Sequence, residues 1–180
     1  MTTVVTGITS TVKALRAYSL PGGEAVREFP EVSHVLSLPD GTATSTADDV
    51  YVFTETITAT AHTNLDLFAL SQEDSAGTTL RAIIMANVKA ILIKNTNTAG
   101  GAGYIQIGGG TDGAGAADAW AGVTTPFETD ASTSIVPPGG HWQWYSPTGG
   151  TVTNSTANIL HLGALSANQT YEIIIIGDHT

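Results

Sequence analysis

Val52-Phe53-Thr54-Glu55-Thr56-Ile57-Thr58-Ala59-Thr60 is the stretch on which the fold is read. β-Branched and polar residues dominate it, helix formers are scarce, and the character repeats every second residue. That period puts successive side chains on opposite sides of an extended backbone, so the stretch reads as a strand with one wet face. Downstream, Val88-Lys89-Ala90-Ile91-Leu92-Ile93-Lys94-Asn95, Tyr104-Ile105-Gln106-Ile107-Gly108 and His141-Trp142-Gln143-Trp144-Tyr145-Ser146 carry the same signature. So do Ile159 to Leu162 and Tyr171 to Gly177, while Leu80 to Met85 reads as a strand or a short helical turn. Turn chemistry separates the pieces at Glu73-Asp74-Ser75-Ala76-Gly77, Pro137-Pro138-Gly139-Gly140 and Pro147-Thr148-Gly149-Gly150. About eight to ten strands, with turn signals roughly every 8–12 residues, is the spacing of an all-β sandwich or barrel. Crossover helices for a βαβ fold are missing, and no internal repeat is evident.

Upstream of this pattern, residues 1–48 are broken by Pro21-Gly22-Gly23, Pro30 and Pro39-Asp40-Gly41. Proline fixes φ and removes a donor, so a central strand is not expected across those points. We read 1–48 as an irregular arm or edge-strand region with two turns, and 49–180 as the β-sandwich domain. The arm either closes its own domain's edge or finds a home on a neighbour. Val4, Val5, Leu36 and Leu38 are its candidate contact residues.

Composition narrows the function. Hydrophobic residues make up 42% and charged residues 12%, enough for a packed core and too little charge for a disordered chain. The remaining Thr, Ser, Asn, Gly and Ala surface can be buried against a partner with few ions to desolvate. The net charge of -10 and the absence of any basic run argue against nucleic acid, whose phosphates need cations to displace their counterions. There is no cysteine for a disulfide or a thiolate site. No secretion signal is read at the N-terminus, and Ile173-Ile174-Ile175-Ile176 is too short to span a membrane.

The chemical motifs are sparse. Five histidines are scattered without zinc-site spacing, and no Gly-x-Ser-x-Gly elbow occurs. Asp48-Asp49 and Glu73-Asp74 read as solvated turns rather than as a catalytic pair. Asp112 and Asp118, in the Gly/Ala-rich stretch 109–132, are a weak calcium pattern. Asn154 and Asn168 head chance sequons. We therefore expect no catalytic residue, metal or cofactor. The long 109–132 loop is the expected contact surface, through Trp120 and Phe127. Trp142 and Trp144 share one side of a strand and form a core wall or, with Tyr145, an aromatic platform for a sugar or a subunit.

Taken in order, Leu65-Asp66-Leu67, Asp74-Ser75-Ala76-Gly77, Val88 to Asn95, Tyr104 to Gly108, Val136-Pro137-Pro138-Gly139-Gly140 and Thr170 to Gly177 have a recognisable cadence. It resembles that of small virion proteins of tailed bacteriophages with a jelly-roll-like domain, head decoration (cement) proteins among them. The resemblance covers roughly residues 55–178 and leaves 1–48 unmatched. It implies a jelly-roll-like antiparallel β-sandwich and a structural role on the capsid surface. The implied partners are the major capsid protein and further copies of the chain, as a homotrimer. It brings no catalytic residues. A carbohydrate- or receptor-binding module, or a tail or head-fibre component, is the alternative.

Overall fold

A computed structural model describes residues 6–13, 16–19, 25–28, 31–38, 47–73, 79–108, 119–121, 124–129 and 132–179. Among these residues every regular element is a strand and none is a helix. β1 (Thr6–Lys13), β2 (Arg16–Ser19), β3 (Ala25–Glu28) and β4 (Glu31–Leu38) precede the sandwich. The sandwich strands are β5 (Asp49–Ile57), β6 (His62–Asp66), β9 (Met85–Asn95), β10 (Tyr104–Ile107), β11 (Ser134–Val136), β12 (His141–Thr151), β13 (Ile159–Leu165) and β14 (Gln169–His179). A small hairpin, β7 (Leu70–Glu73) with β8 (Thr79–Ile83), is inserted between β6 and β9.

Two four-stranded antiparallel sheets, ordered β12-β9-β14-β5 and β11-β10-β13-β6, pack face to face. Alternation supplies the core. Ile91, Ile93, Tyr171, Ile173 and Ile175 project from the first sheet, and Ile105, Ile107, Leu160, Leu162 and Ala164 from the second. β14 lies in the middle of its sheet, with β9 on one side and β5 on the other. Its Ile173–Ile176 run is apolar on both faces because Ile176 is covered from outside, by a second small cluster with Leu38, Ala47 and Ala90. A strand covered on both faces reads as a continuous apolar run.

Two sequence expectations change. Pro147-Thr148-Gly149-Gly150 does not end a strand. β12 runs through it as a bulge, with Tyr145 opposite Ala90 and Gly150 opposite Val88. Four residues of β12, Ser146 to Gly149, thus stand opposite Lys89 alone, whereas across β14 Ile176 faces Ala90 and Gly177 faces Val88, so there Lys89 is itself the extra residue. Proline is tolerated there because a bulge on an edge strand asks for no ladder hydrogen bond at that site.

The second change is in the N-terminal region, which is regular where irregularity was expected. β1 pairs with β4 from Thr6 opposite Leu38 to Lys13 opposite Glu31. β2 pairs with β3 from Arg16 opposite Glu28 to Ser19 opposite Ala25. Two residues separate the ladders on each strand, so both ladders keep one register. The proline breakers at 21, 30 and 39 lie outside the described residues. Lys13 is the ladder partner of Glu31 and Arg16 that of Glu28.

Candidate interaction surface

Trp120 and Phe127 are interior. Trp120 is 1% exposed and Phe127 2%. The Trp120 ring meets Trp144 edge-on, with centroids 5.4 Å apart at 84°, and its indole N–H donates to the Thr151 carbonyl at 3.0 Å. Phe127 stacks on Trp142 at 5.8 Å and 11°. The segment around these rings therefore fills the sandwich beneath the β12 edge and offers neither ring to a partner. Two glycines make room. A Cβ on Gly108, whose φ is 78°, would lie 2.4 Å from the Phe127 ring, and one on Gly150 would lie 2.5 Å from Trp120.

The expected aromatic platform divides by strand parity. Trp142 and Trp144 point inward against the core, half-buried, whereas Tyr145 lies on the other face and is 36% exposed. A flat three-ring surface for a sugar is not present.

The outer face of the β12-β9-β14-β5 sheet is graded in three rows. In the first, Val50, Ile176, Ala90 and Tyr145 lie side by side, with Leu38 (1% exposed) and Ala47 sealing the Ile176–Ala90 part. In the second, Val52, Ile174, Leu92 and Gln143 align. Val52 is 48% exposed, and Ile174 and Leu92 are half-buried. The third row is polar: Thr54, Glu172, Lys94 and His141, with an exposed Lys94–Glu172 ion pair at 3.6 Å. The aliphatic strip is thus bounded on one side by a polar, charged row.

The ionisable groups are built into the frame. Asp49, read as a solvated turn residue, is buried at the head of β5, where it binds Arg81 and, at 3.2 Å, His179 Nδ1. Its neighbour Asp48 accepts the His179 backbone N–H at 2.7 Å, which ties the start of β5 to the end of β14. These groups border a shallow depression lined also by Ala82. Lys89, thrown out by its bulge, pairs with Asp178 at 3.2 Å with both side chains buried, and donates to the Thr148 carbonyl at 3.1 Å. Tyr171 donates to Glu55 at 2.8 Å. Burial first, and the Glu55 carboxylate second, push its phenol far above the ordinary tyrosine value. Asn95 donates to Gln169 at 2.8 Å and to the Val136 carbonyl at 3.2 Å, pinning the loops at the sandwich end. Among the described residues, no three His, Cys, Asp or Glu side chains gather as a metal-holding group.

Of the arm residues singled out from the sequence, Val4 and Val5 lie outside the described residues, as do Asp112 and Asp118. Leu36 holds the ladder position opposite Ile8, and Leu38 is sealed against the sheet of its own chain. No family model, curated protein or solved structure matches this chain.

Proposed function

We propose that this chain is a virion structural protein, a capsid decoration (cement) protein that works by contact and carries no catalysis. The observation that carries the reading is the N-terminal ladder of β1 with β4, eight paired positions ending at Leu38, which packs with Ala47, Ala90 and Ile176 on the outer sheet face. At about 3.4 Å per residue the β1–β4 ladder alone extends roughly 24 Å. Such an arm ties copies into an assembly, and an assembly engages a repetitive shell at many points, so that modest affinities multiply.

The jelly-roll reading is supported by the wiring. The first of the eight sandwich strands pairs with the eighth, the second with the seventh, the third with the sixth and the fourth with the fifth. The folded-over ribbon also joins β14 to β9 and β13 to β10. Two sheets wired through two Greek keys are the pattern expected of a jelly roll, and this pairing order is what supports the reading. The carbohydrate-binding reading loses support because the tryptophans that suggested it face the core.

If a major capsid gene adjoins this chain's own, shells assembled from its product are the test material. Incubated with the chain and pelleted, they are expected to carry it down in a fixed ratio to shell subunits. A chain that stays wholly in the supernatant while it is folded refutes the decoration role.

A further inference from the structure

We propose that Lys89 and Asp178 condense into an intramolecular isopeptide bond, a covalent lock between β9 and the central strand β14. The inference goes beyond the decoration reading and is tested apart from it. Three observations lead to it.

The first is placement. The register break across β14 leaves Lys89 as an extra residue between Val88 and Ala90, and a bulge of this kind re-aims a side chain. Lys89 Nζ lies 3.2 Å from Asp178 Oδ2, and the two side chains are 3% and 4% exposed. The carbon to be attacked, Asp178 Cγ, is one bond beyond that oxygen. Ladders on both sides of β14 keep the two groups together. Reacting groups fixed about 3–3.5 Å apart react as one molecule, with the entropy of encounter already lost in folding.

The second is hydrogen bonding. An ammonium carries three hydrogens, and a carboxylate two acceptor oxygens. Among the described residues, Lys89 Nζ meets Asp178 Oδ2 and, at 3.1 Å, the Thr148 carbonyl, and no third acceptor. Asp178 Oδ1 is buried without a partner. An amide asks for less. Its single N–H is matched by the Thr148 carbonyl, and both charges are gone. What stays unmatched is a neutral carbonyl oxygen in place of a charged one, which lowers the desolvation cost of the corner.

The third is that the pair supplies its own chemistry. One proton passes from Nζ to Oδ2, which leaves an amine and a carboxylic acid. The Nζ lone pair attacks Cγ, the Cγ–Oδ2 bond breaks, and a second Nζ proton departs with that oxygen as water. The ion pair holds every atom of the amide and of the water released, so no co-reactant is required. Burial then keeps water from the amide and protects it from hydrolysis. Until it closes, the corner is the ion pair described above.

The full-length wild-type chain is the test material. Folded protein is held at neutral pH, and its intact mass is taken under denaturing conditions, which no salt bridge survives. The expected mass is that of the sequence less one water. Proteolysis is expected to yield a branched peptide joining Lys89 to Asp178, with no tryptic cut after Lys89. Mass alone does not decide, because Asp40-Gly41 and Asp112-Gly113 can also shed water as cyclic imides. Lys89→Arg keeps the charge but has no amine that condenses, and is expected to hold the full mass. Folded wild type that keeps the full mass of its sequence overturns the inference. So does water loss that maps to an aspartyl-glycine pair instead, or that is undiminished in Lys89→Arg. If Lys89→Arg does not fold, the presence or absence of the branched peptide in the wild type decides by itself. Shell pelleting bears on none of these outcomes, so the lock and the decoration role can fail separately.

Discussion

Replacing Trp120 with alanine removes a ring that is 1% exposed, packed edge-on against Trp144 and bonded through its N–H to Thr151. Truncating a buried tryptophan costs about 3–5 kcal/mol, because the site collapses only in part. The edge-to-face pair and the orphaned carbonyl place this site at or above the top of that range, at roughly 4–6 kcal/mol. With a urea dependence near 2 kcal/mol per molar, the unfolding midpoint should fall by about 2–3 M. A total stability of about 5–15 kcal/mol makes that loss close to fatal. Trp120→Phe keeps most of the ring and loses the N–H, and should fall by only about 0.5–1 M. Far-ultraviolet circular dichroism is the right probe, since fluorescence would change merely by removing one of three tryptophans. If Trp120→Ala leaves the midpoint within about 0.3 M of wild type, the ring is not a core element. Lost binding with unchanged stability would return it to the role of a contact residue.

Lys89→Met should cost about 3–5 kcal/mol, because it strands Asp178 in the interior, where one carboxylate oxygen already lacks a partner. The double variant Lys89→Met/Asp178→Leu should recover most of that loss in thermal unfolding, and a double variant no better than the single would show that the pair contributes more than its own neutralisation. For Tyr171, the raised phenol means that the folded chain holds its proton more tightly than the unfolded chain does. The resulting stability is intact below the unfolded value of about 10 and is lost as the pH climbs beyond it. Tyr171→Phe should therefore flatten the fall in melting temperature between about pH 10 and 12, and parallel slopes would clear the phenol of responsibility.

The strands that were readable are those whose burial alternates without interruption, β5, β10 and the inward side of β14 among them. Two features hid the rest. Breaker residues mark strand ends only when the backbone there needs a turn. Pro147 and Gly149 sit in a bulge within β12, so the breaker rule divided one strand into two. Likewise ladder partners as far apart as Thr6 and Leu38 are invisible to a local window. Trp120 and Phe127 were misread because a lone ring among Gly, Ala and Thr has no periodicity to report its direction. The signal that existed was indirect: Gly108 and Gly150 stand where a Cβ would strike those rings. The division of Tyr145 from Trp142 and Trp144, by contrast, follows from odd and even numbering alone. Asp49 escaped because its partners Arg81 and His179 arrive from distant strands.

The central place of β14 governs how the molecule can be made. Its bonds to β5 span more than a hundred positions, as Tyr171 to Glu55 does across 116. While residues 169–179 are still inside the ribosome, the sheet lacks its middle strand, and β5 and β9 are left with unpaired edges. The β2–β3 ladder, whose pairs run from Ser19 with Ala25 to Arg16 with Glu28, is local in sequence and can form within microseconds of emerging. The sandwich must wait for the last strand and then close a high-contact-order topology, which is slow. A chain cut short before β14 would carry an open body, the species most prone to aggregate with its own kind.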